Sequence, residues 1–215
     1  MRPKIHINFA MSIDGKIALG TGEQTRLSNE LDMKRVHELR NSVDAILVGI
    51  GTVLKDDPSL TVKEKYVKNP KNPVRVILDS KLRIPENAKV LDKSARTIIY
   101  TAVSKKKLLN AEIRTCGKNI VDLNCMLDDL YSLGIRTMLV EGGSRVIGSF
   151  LSSNLFDIIT IFIAPYFIGP DAPSAATFKT AMKLEEMIKM NILSSSMLGN
   201  GILLEIVPDV NARDQ

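Results

Sequence analysis

Three glycine-bearing segments of the sequence directly follow predicted strands, and glycine there allows a ligand to approach the backbone closely. They are Asp14-Gly15, Gly49-Ile50-Gly51-Thr52 and Glu141-Gly142-Gly143-Ser144. In open α/β sheets, ligands bind outside the carboxyl ends of the strands. The second and third segments also lead into predicted helices, whose first N–H groups are unpaired and attract phosphate. Several such segments in one chain predict one shared binding crevice.

The segment 46–58, ILVGIGTVLKDDP, departs from two well-known phosphate-binding motifs. Leu54 stands where the dinucleotide fingerprint requires its third glycine. The Walker pattern GxxxxGK[ST] does not occur in the sequence. Gly49 and Gly51 therefore have two interpretations, a tight turn alone or a turn that lets a cofactor approach closely.

Two adjacent aspartates, Asp56 and Asp57, follow this turn and precede Pro58. A metal pair is disfavoured, because neighbouring residues on a helix or turn point in different directions. We predict that one aspartate caps a helix or turn. The other is predicted to accept a hydrogen bond from a ligand hydroxyl or amide.

The composition excludes several classes of site. Cys116 and Cys125 have neither CxxC spacing nor an adjacent histidine, which disfavours zinc and excludes a disulfide scaffold. His6 and His37 are far apart in sequence and are interpreted as structural. A Ser-His-Asp or metal-hydrolase mechanism therefore lacks the residues it needs, and no metal site is expected.

The charge balance favours a small anionic ligand. The net charge is +5, but the basic residues are scattered, and the KKK run at 105–107, read as a solvated helix start, is the only tight cluster. With no tryptophan and no RNP-like aromatic motif, nucleic acid is not an expected partner. No apolar run approaches the roughly 20 residues of a membrane span. The N-terminus lacks a signal-peptide pattern, so a cytoplasmic location is expected.

The hydrophobic pattern predicts a single α/β domain at 1–208 with a polar tail at 209–215. Continuous or alternating apolar runs predict strands, helical spacing predicts helices, and Gly199-Asn200-Gly201 predicts a hairpin. The sheet is expected to be mostly parallel, with helices on both faces and a C-terminal antiparallel hairpin. The predicted strands are 4–14, 45–50, 74–79, 96–101, 135–142, 156–165 and the two strands of the hairpin; the predicted helices start at Ser28, Asn124 and Gly143.

In their order, five segments of the sequence resemble the reductase of riboflavin biosynthesis, whose fold is similar to dihydrofolate reductase. They are AMSIDGKIA at 10–18, GIGTV at 49–53, DDPSLTV at 56–62, DSKLRIP at 79–85 and VEGG at 140–143. The resemblance covers about residues 4 to 207. It implies a dihydrofolate-reductase-like fold and NADPH as the cofactor.

The resemblance also implies a role for individual side chains. Cofactor contacts are implied for Ala10, Thr52, Asp56, Ser80, Gly142, Gly143 and Ser144, and substrate contacts for Gln24, Arg40, Leu60 and Lys63. Glu141 also matches a substrate position, and Lys16 matches a site lysine that would contact the pyrimidine or the ribose phosphate. We hypothesise that Glu141 positions or helps protonate the opening sugar, while Lys16 and Arg40 hold anionic or carbonyl oxygens. Ser80, Lys81 and Arg83 follow a strand and are proposed to receive the 2′-phosphate of NADPH. The planar fork of Arg83 matches phosphate oxygens, and the competing interpretation of this arginine is an ion pair with a neighbouring acid.

The sequence contains no zinc-deaminase signature, H-x-E followed by P-C-x-x-C. Similarity to the stand-alone archaeal and fungal branch implies a phosphorylated pyrimidine substrate, 2,5-diamino-6-ribosylamino-4(3H)-pyrimidinone 5′-phosphate. Its ribosyl group would become ribityl by hydride transfer to C1′. Family members form homodimers, and by analogy the apolar strands at 156–165 and 201–207 are expected to supply an edge for such a dimer.

Three alternatives stay open at this point. A reductase of the deaminated 5-amino-6-ribosylaminouracil phosphate has the same requirements. A dihydrofolate reductase has the same fold but carries an early tryptophan that this chain lacks. A non-catalytic nucleotide-binding module needs the glycine segments but neither Lys16 nor Glu141.

Overall fold

The computed structural model describes residues 1–21, 26–103 and 110–209. Chain contacts divide it into two compact units, one of Met1–Lys4 with Lys34–Val140, the other of Ile5–Met33 with the chain from Glu141 onward. In chain order the strands and helices are β1 Lys4–Ser12, α1 Glu30–Ser42, β2 Ala45–Gly49, α2 Ile50–Asp56, β3 Val74–Leu78, β4 Thr97–Thr101, β5 Glu112–Thr115, α3 Leu123–Ser132, β6 Thr137–Gly142, α4 Ser144–Ser152, β7 Ile158–Ala164, β8 Met190–Leu198 and β9 Gly201–Pro208.

The strands of the first unit have the order β5-β4-β3-β2-β6. The pairs β2–β3, β3–β4 and β4–β5 are all parallel. Every residue of β2 and of β4 is buried. This burial explains their continuous apolar sequences, because strands covered on both faces need no polar alternation.

The second unit has the strand order β1-β7-β9-β8. β1 and β7 are parallel, whereas β9 is antiparallel to both β7 and β8. The turn Gly199-Asn200 joins β8 to β9, so the predicted C-terminal hairpin is confirmed. The predicted mostly parallel α/β fold with antiparallel C-terminal strands is confirmed as well.

One expectation about strand position is wrong. The sequence favoured residues 156–165 and 201–207 as a sheet edge available for dimer formation. The corresponding strands, β7 and β9, each pair on both sides. β8 stands at the end of the order instead, since the hairpin places the later strand, β9, inside.

The residue that caps α1 also differs from the expectation. The side chain of Asn29, not Ser28, accepts a hydrogen bond from the backbone N–H of Asp32 at 2.9 Å. Both residue types are good N-caps, so the sequence alone did not distinguish neighbouring candidates. α3 starts one residue before the prediction, and Asp122 caps it through the N–H groups of Asn124 and Cys125.

Two features near α3 were not predicted. β5, with the sequence EIRT, is short and largely polar, which is how edge strands avoid aggregation and why a hydrophobic pattern does not reveal them. Cys116, directly after β5, forms a disulfide with Cys125 in the first turn of α3. One bond is not a scaffold of several, and a spacing of nine residues carries no pairing signal.

None of the helices in the described part of the chain is long and apolar enough to cross a membrane. The KKK run at 105–107 lies outside the described residues.

Candidate active site

α2 begins directly at the end of β2 and leaves open space above its second residue. Gly49 is the extended residue before the helix. Gly51 is exposed, and a β-carbon built on it would meet no atom of the described residues within 4 Å outside its own helix. The surface above this residue therefore has room for a ligand to approach the helix backbone.

The two aspartates after this helix have different environments. Asp57 is the left-handed residue that ends α2, and its carboxylate accepts a hydrogen bond from the backbone N–H of Lys89 at 2.8 Å. Asp56 is half-buried, and within the described residues its Oδ1 has no hydrogen-bond partner. Burial raises the pKa of the Asp56 carboxyl above its ordinary value, and nearby Lys55 opposes this only partly. Asp57 is thus the capping aspartate, and Asp56 keeps an acceptor for another group.

β3 ends beside β2, with Leu78 opposite Gly49, and the turn that follows is held by Asp79. The buried Asp79 carboxylate accepts hydrogen bonds from the backbone N–H groups of Arg83 and Ile84. The Ser80 hydroxyl accepts a hydrogen bond from the backbone N–H of Val121 at 3.0 Å. That bond leaves the hydroxyl hydrogen of Ser80 available to a ligand.

Arg83 extends from this turn with a 54% exposed side chain. Its Nε lies 3.6 Å from Asp79 Oδ1, so the ion pair considered as the competing interpretation is present. The distance is long, and it involves Nε rather than the terminal nitrogens. The two interpretations are therefore compatible, because the exposed guanidinium makes this contact through Nε, and Nη1 and Nη2 remain for a phosphate.

The residues of this unit that are predicted to contact the substrate differ in how far their side chains are exposed to solvent. Arg40 donates from Nη1 to the carbonyl of Thr61 at 3.2 Å, which places its guanidinium on the segment containing Leu60 and Lys63. The Lys63 side chain is exposed. Leu60, in contrast, is buried in a hydrophobic cluster with Val53 and has a left-handed backbone. Its side chain therefore serves the core, and only its backbone is left for a ligand.

In the second unit, the turn after β1 holds Lys16. The Lys16 ammonium donates to the carbonyl of Pro170 at 3.0 Å and to the Ser174 hydroxyl at 3.4 Å. Its backbone N–H donates to the Ser12 hydroxyl at 2.9 Å. The partners at 170 and 174 were not predicted, and no local signal in the sequence connects residues more than 150 positions apart.

The segment from Glu141 to Ser144 joins β6 to α4. Glu141 is half-buried at the end of β6, and Gly142 has a positive φ of 117° that favours glycine. The peptide bond between Gly142 and Gly143 is cis. The Ser144 hydroxyl accepts a hydrogen bond from Thr177 Oγ1 at 3.1 Å. Thr177 is a further residue at this helix start that the sequence analysis missed.

Ala10 and Gln24 are the other residues that were predicted to contact a ligand. Ala10 lies on β1, half-buried, opposite Phe162 of β7. Gln24 lies outside the described residues. Among residues 1–21, 26–103 and 110–209, no group of three or more His, Cys, Asp or Glu side chains is arranged to hold a metal ion.

The predicted site residues accordingly fall into two sets, each within one compact unit. Thr52, Asp56, Ser80, Arg83, Arg40, Leu60 and Lys63 belong to the first unit, and Ala10, Lys16 and Glu141 to Ser144 belong to the second. In the first unit, the parallel pairing of β2 with β3 brings the residues after both strands to one edge.

Known proteins resemble this chain along nearly its whole length. The reductase named 2,5-diamino-6-ribosylamino-4(3H)-pyrimidinone 5′-phosphate reductase from Methanothermobacter thermautotrophicus is 39% identical over 212 residues, which cover 95% of this chain and 98% of that protein. The protein of the same name from Archaeoglobus fulgidus is 42% identical over 201 residues, covering 85% and 90%.

Solved structures agree in fold. The deaminase/5-amino-6-(5-phosphoribosylamino)uracil reductase of Thermotoga maritima superposes with a TM-score of 0.82 at 30% identity, over 97% of this chain and 57% of that one. Dihydrofolate reductase from Enterococcus faecalis gives a TM-score of 0.53 at 8% identity over 96% of both chains, which shows a likeness of fold alone. The dihydrofolate-reductase-like fold predicted from the sequence is therefore confirmed.

A family model described as the RibD C-terminal domain matches residues 3–204. Together with the relatives of 39% and 42% identity, this match confirms the resemblance to the reductases of riboflavin biosynthesis. The chain belongs to the RibD C-terminal domain family.

Proposed function

We propose that this chain is the NADPH-dependent reductase of riboflavin biosynthesis that acts on 2,5-diamino-6-ribosylamino-4(3H)-pyrimidinone 5′-phosphate and converts its ribosyl group to ribityl. The observation that carries the proposal is the similarity to two archaeal reductases of that name over nearly their full length. The side chains described above include the hydrogen-bond donors, acceptors and charges that such a reaction needs, and a role is proposed for each of them.

The residues of the first unit fit a dinucleotide. Gly51 leaves open space above the start of α2, and the buried Oδ1 of the half-buried Asp56 has no hydrogen-bond partner in the described chain. A ribose hydroxyl or a carboxamide N–H satisfies such an acceptor. When bound, NADPH would supply the hydride. In the second unit, Ala10 and the segment from Gly142 to Ser144 are proposed as further contacts to this cofactor.

Ser80 and Arg83 are proposed to bind the 2′-phosphate of the cofactor. The Ser80 hydroxyl keeps its hydrogen for a phosphate oxygen while it accepts from Val121. The exposed guanidinium of Arg83 presents charged N–H donors on the same turn, and charged hydrogen bonds to phosphate are among the strongest in proteins. Preference for NADPH over NADH follows from these contacts.

Replacing Arg83 with alanine is expected to raise the KM for NADPH by about tenfold or more, since a charged hydrogen bond is worth about 1.5–3 kcal/mol. The KM for NADH is expected to stay unchanged. Steady-state kinetics with both cofactors measure this difference. Lys93→Ala, which removes an exposed cation elsewhere in the same unit, is the control. An equal loss with NADH and NADPH would contradict the assignment.

Replacing Gly51 with alanine is expected to weaken cofactor binding without destabilising the fold. The new methyl group meets no protein atom and improves helix propensity, so stability is expected to rise by up to about 1 kcal/mol. The KM for NADPH is expected to rise about tenfold, because displacements of about 1 Å cost up to roughly 10²-fold. Gly20→Ala, at another glycine with open surroundings, is the control. An unchanged KM for NADPH in Gly51→Ala would mean that the glycine only forms a turn.

The substrate residues are proposed to hold oxygens and to move protons. Lys63 and Arg40 bind anionic groups of the substrate, with Leu60 contributing through its backbone and Gln24 as a further contact. The sugar must open before its C1′ accepts a hydride, and opening requires a proton on the ring oxygen. Glu141 positions or protonates that oxygen, and Lys16 holds a neighbouring oxygen. Opening breaks the bond between C1′ and the ring oxygen and leaves an imine at C1′. Because an imine carbon is a good electrophile, alignment of the hydride donor is the main task of the protein.

The chain is also proposed to form a homodimer through β8. The side chains of Ile192 and Met197 on this strand are 67% and 70% exposed, and Leu193 is exposed as well. An apolar strand at the end of a sheet promotes pairing with another chain. The molar mass in solution, measured by sedimentation equilibrium, tests this state.

Anaerobic oxidation of NADPH, followed at 340 nm with three substrates side by side, tests the proposed function. Oxidation with the diamino substrate and much slower oxidation with the deaminated one is the expected result. The reverse order would assign the chain to the later step. Oxidation with dihydrofolate would indicate a dihydrofolate reductase, and no oxidation with any of them would favour the binding module.

A further inference from the structure

The turn after β1 is hydrogen-bonded along its length to the segment 166–175. The backbone N–H of Ile13 donates to the carbonyl of Tyr166 at 2.9 Å, and that of Ile17 donates to Pro173 at 2.9 Å. In the opposite direction, the N–H of Ala175 donates to the carbonyl of Gly15 at 3.0 Å. The turn and the segment therefore form one hydrogen-bonded structure within the second unit.

Asp14 is the centre of this structure. Its carboxylate accepts hydrogen bonds from the Ser12 hydroxyl at 2.5 Å and from the backbone N–H groups of Ile168 at 3.1 Å and Gly169 at 2.7 Å. The hydroxyl of Ser12, followed by the N–H of Gly169, lowers the pKa of Asp14 to about 2. The carboxylate is therefore ionised at neutral pH, as an acceptor of several N–H and O–H donors must be.

The same segment supplies the acceptors for Lys16. Its ammonium donates to the carbonyl of Pro170, one residue beyond the Gly169 N–H that Asp14 binds, and to the hydroxyl of Ser174. An ammonium group has three hydrogens, so these two acceptors within the described part of the chain leave one for a ligand oxygen. A lysine side chain is flexible, and acceptors at defined places restrict where its charge lies.

We propose that Asp14 is the positioning residue for Lys16. Its carboxylate binds the backbone N–H groups of Ile168 and Gly169, and the next residue, Pro170, accepts the hydrogen bond from the Lys16 ammonium. The inference rests on the proposed role of Lys16 at the substrate. Asp14 itself does not touch the reacting atoms. Its contribution is to hold the carbonyl of Pro170 where it directs the remaining ammonium hydrogen of Lys16 towards the substrate oxygen.

Asp14→Asn is the decisive variant. Asparagine has the size of aspartate, but its NH2 group faces N–H donors, so part of the attachment to Ile168 and Gly169 is lost. The substrate KM is expected to rise about tenfold, while the KM for NADPH is unchanged. Asp14→Glu keeps the charge and is expected to recover part of the loss. Asp171→Asn removes an exposed carboxylate from the same segment and is the matched control.

A second measurement does not depend on turnover. The acetylation rate of Lys16 with acetic anhydride, read by mass spectrometry against the other lysines of the chain, reports how its ammonium is held. We expect faster acetylation of Lys16 in Asp14→Asn and an unchanged rate in Asp171→Asn. Should Asp14→Asn fail to fold, Ser12→Ala removes one donor to Asp14 and the acceptor of the Lys16 N–H, and a smaller change in the same direction is expected.

The outcomes separate this inference from the proposed function. A folded Asp14→Asn protein with wild-type substrate KM and wild-type Lys16 acetylation would overturn the inference. A general loss of stability with no selective effect on Lys16 would also overturn it, because a merely structural role predicts that result. If the wild type does not oxidise NADPH with any substrate, the proposed function fails, while the acetylation rates still decide whether Asp14 positions Lys16.

Discussion

The Glu141→Gln variant is expected to lose roughly 10²–10⁴-fold in kcat, the range typical of a general acid or base. Glutamine keeps the shape of the side chain at the end of β6, and it can still accept a hydrogen bond. It cannot deliver a proton to the ring oxygen of the sugar as that ring opens. The KM for NADPH is expected to change little, since the cofactor contacts proposed in this segment belong to Gly142, Gly143 and Ser144.

Single-turnover kinetics with the diamino substrate and NADPH measure this loss at the chemical step. Glu141→Asp, which keeps the carboxyl but shortens its reach, is expected to fall between the wild type and Glu141→Gln. Glu205→Gln on β9 is the control for removal of a carboxylate elsewhere in the same unit. Unchanged turnover in Glu141→Gln would remove this residue from the mechanism.

The largest effect on stability is expected at Asp92, the partner of a buried arginine. The side chain of Arg75 on β3 is 0% exposed, and that of Asp92 is 51% exposed. Arg75 donates to Asp92 Oδ1 at 2.8 Å, to the carbonyls of Val90 and Asp92 at 3.0 and 3.2 Å, and to the Ser94 hydroxyl. Asp92 supplies the only carboxylate among the contacts described for this guanidinium.

Asp92→Ala is therefore expected to lower the free energy of unfolding by about 3 kcal/mol, because an unpaired buried charge costs about 3–5 kcal/mol. Urea unfolding at neutral pH measures the change. Arg75→Met combined with Asp92→Ala is expected to be more stable than Asp92→Ala alone, since it removes the unpaired charge. Asp128→Ala, at an exposed acid of the same unit, is the control. A loss below about 0.5 kcal/mol in Asp92→Ala, the usual range for surface changes, would mean that the carbonyls alone satisfy Arg75.

The difference between wild type and Asp92→Ala should also depend on pH. Hydrogen bonds from Ser94, with a further contribution from Arg75, lower the pKa of Asp92 from 3.8 to about 2. A carboxyl with a lowered pKa stabilises the fold above its ordinary pKa, and this contribution is lost as the pH falls. Below about pH 4 the two proteins should therefore converge, with most of the convergence complete near pH 2.

The strands of the first unit could be predicted because strands buried on both faces are composed mainly of apolar residues. Residues 45–50 form a continuous apolar run, and 74–79 and 96–101 are dominated by β-branched and other apolar residues, which is typical of strands covered on both faces. The Asn-Gly hairpin was equally local, since its turn geometry restricts the residues allowed. β5 was missed because a polar edge strand has no hydrophobic pattern.

The candidate site was predicted unevenly for the same reason. The sequence indicated that one of two adjacent aspartates caps a turn, but the choice of Asp57 depends on the backbone of Lys89, 32 residues away. Leu60 matched a family position, yet its side chain lies in the core. Asn29 and Ser28 are equally good caps by residue type, and only the structure shows that the side chain of Asn29 accepts the hydrogen bond from the N–H of Asp32.

By itself, the sequence determined the class of fold, the glycine turns after the strands and the family, because short-range geometry and residue type encode each of them. Only the tertiary structure decided that β8 stands at the end of its strand order, that Cys116 pairs with Cys125, and that Asp14 and Lys16 share the segment 166–175. These contacts join residues that the chain brings together only when it folds, and a hydrogen bond between distant positions leaves no periodic trace in the sequence.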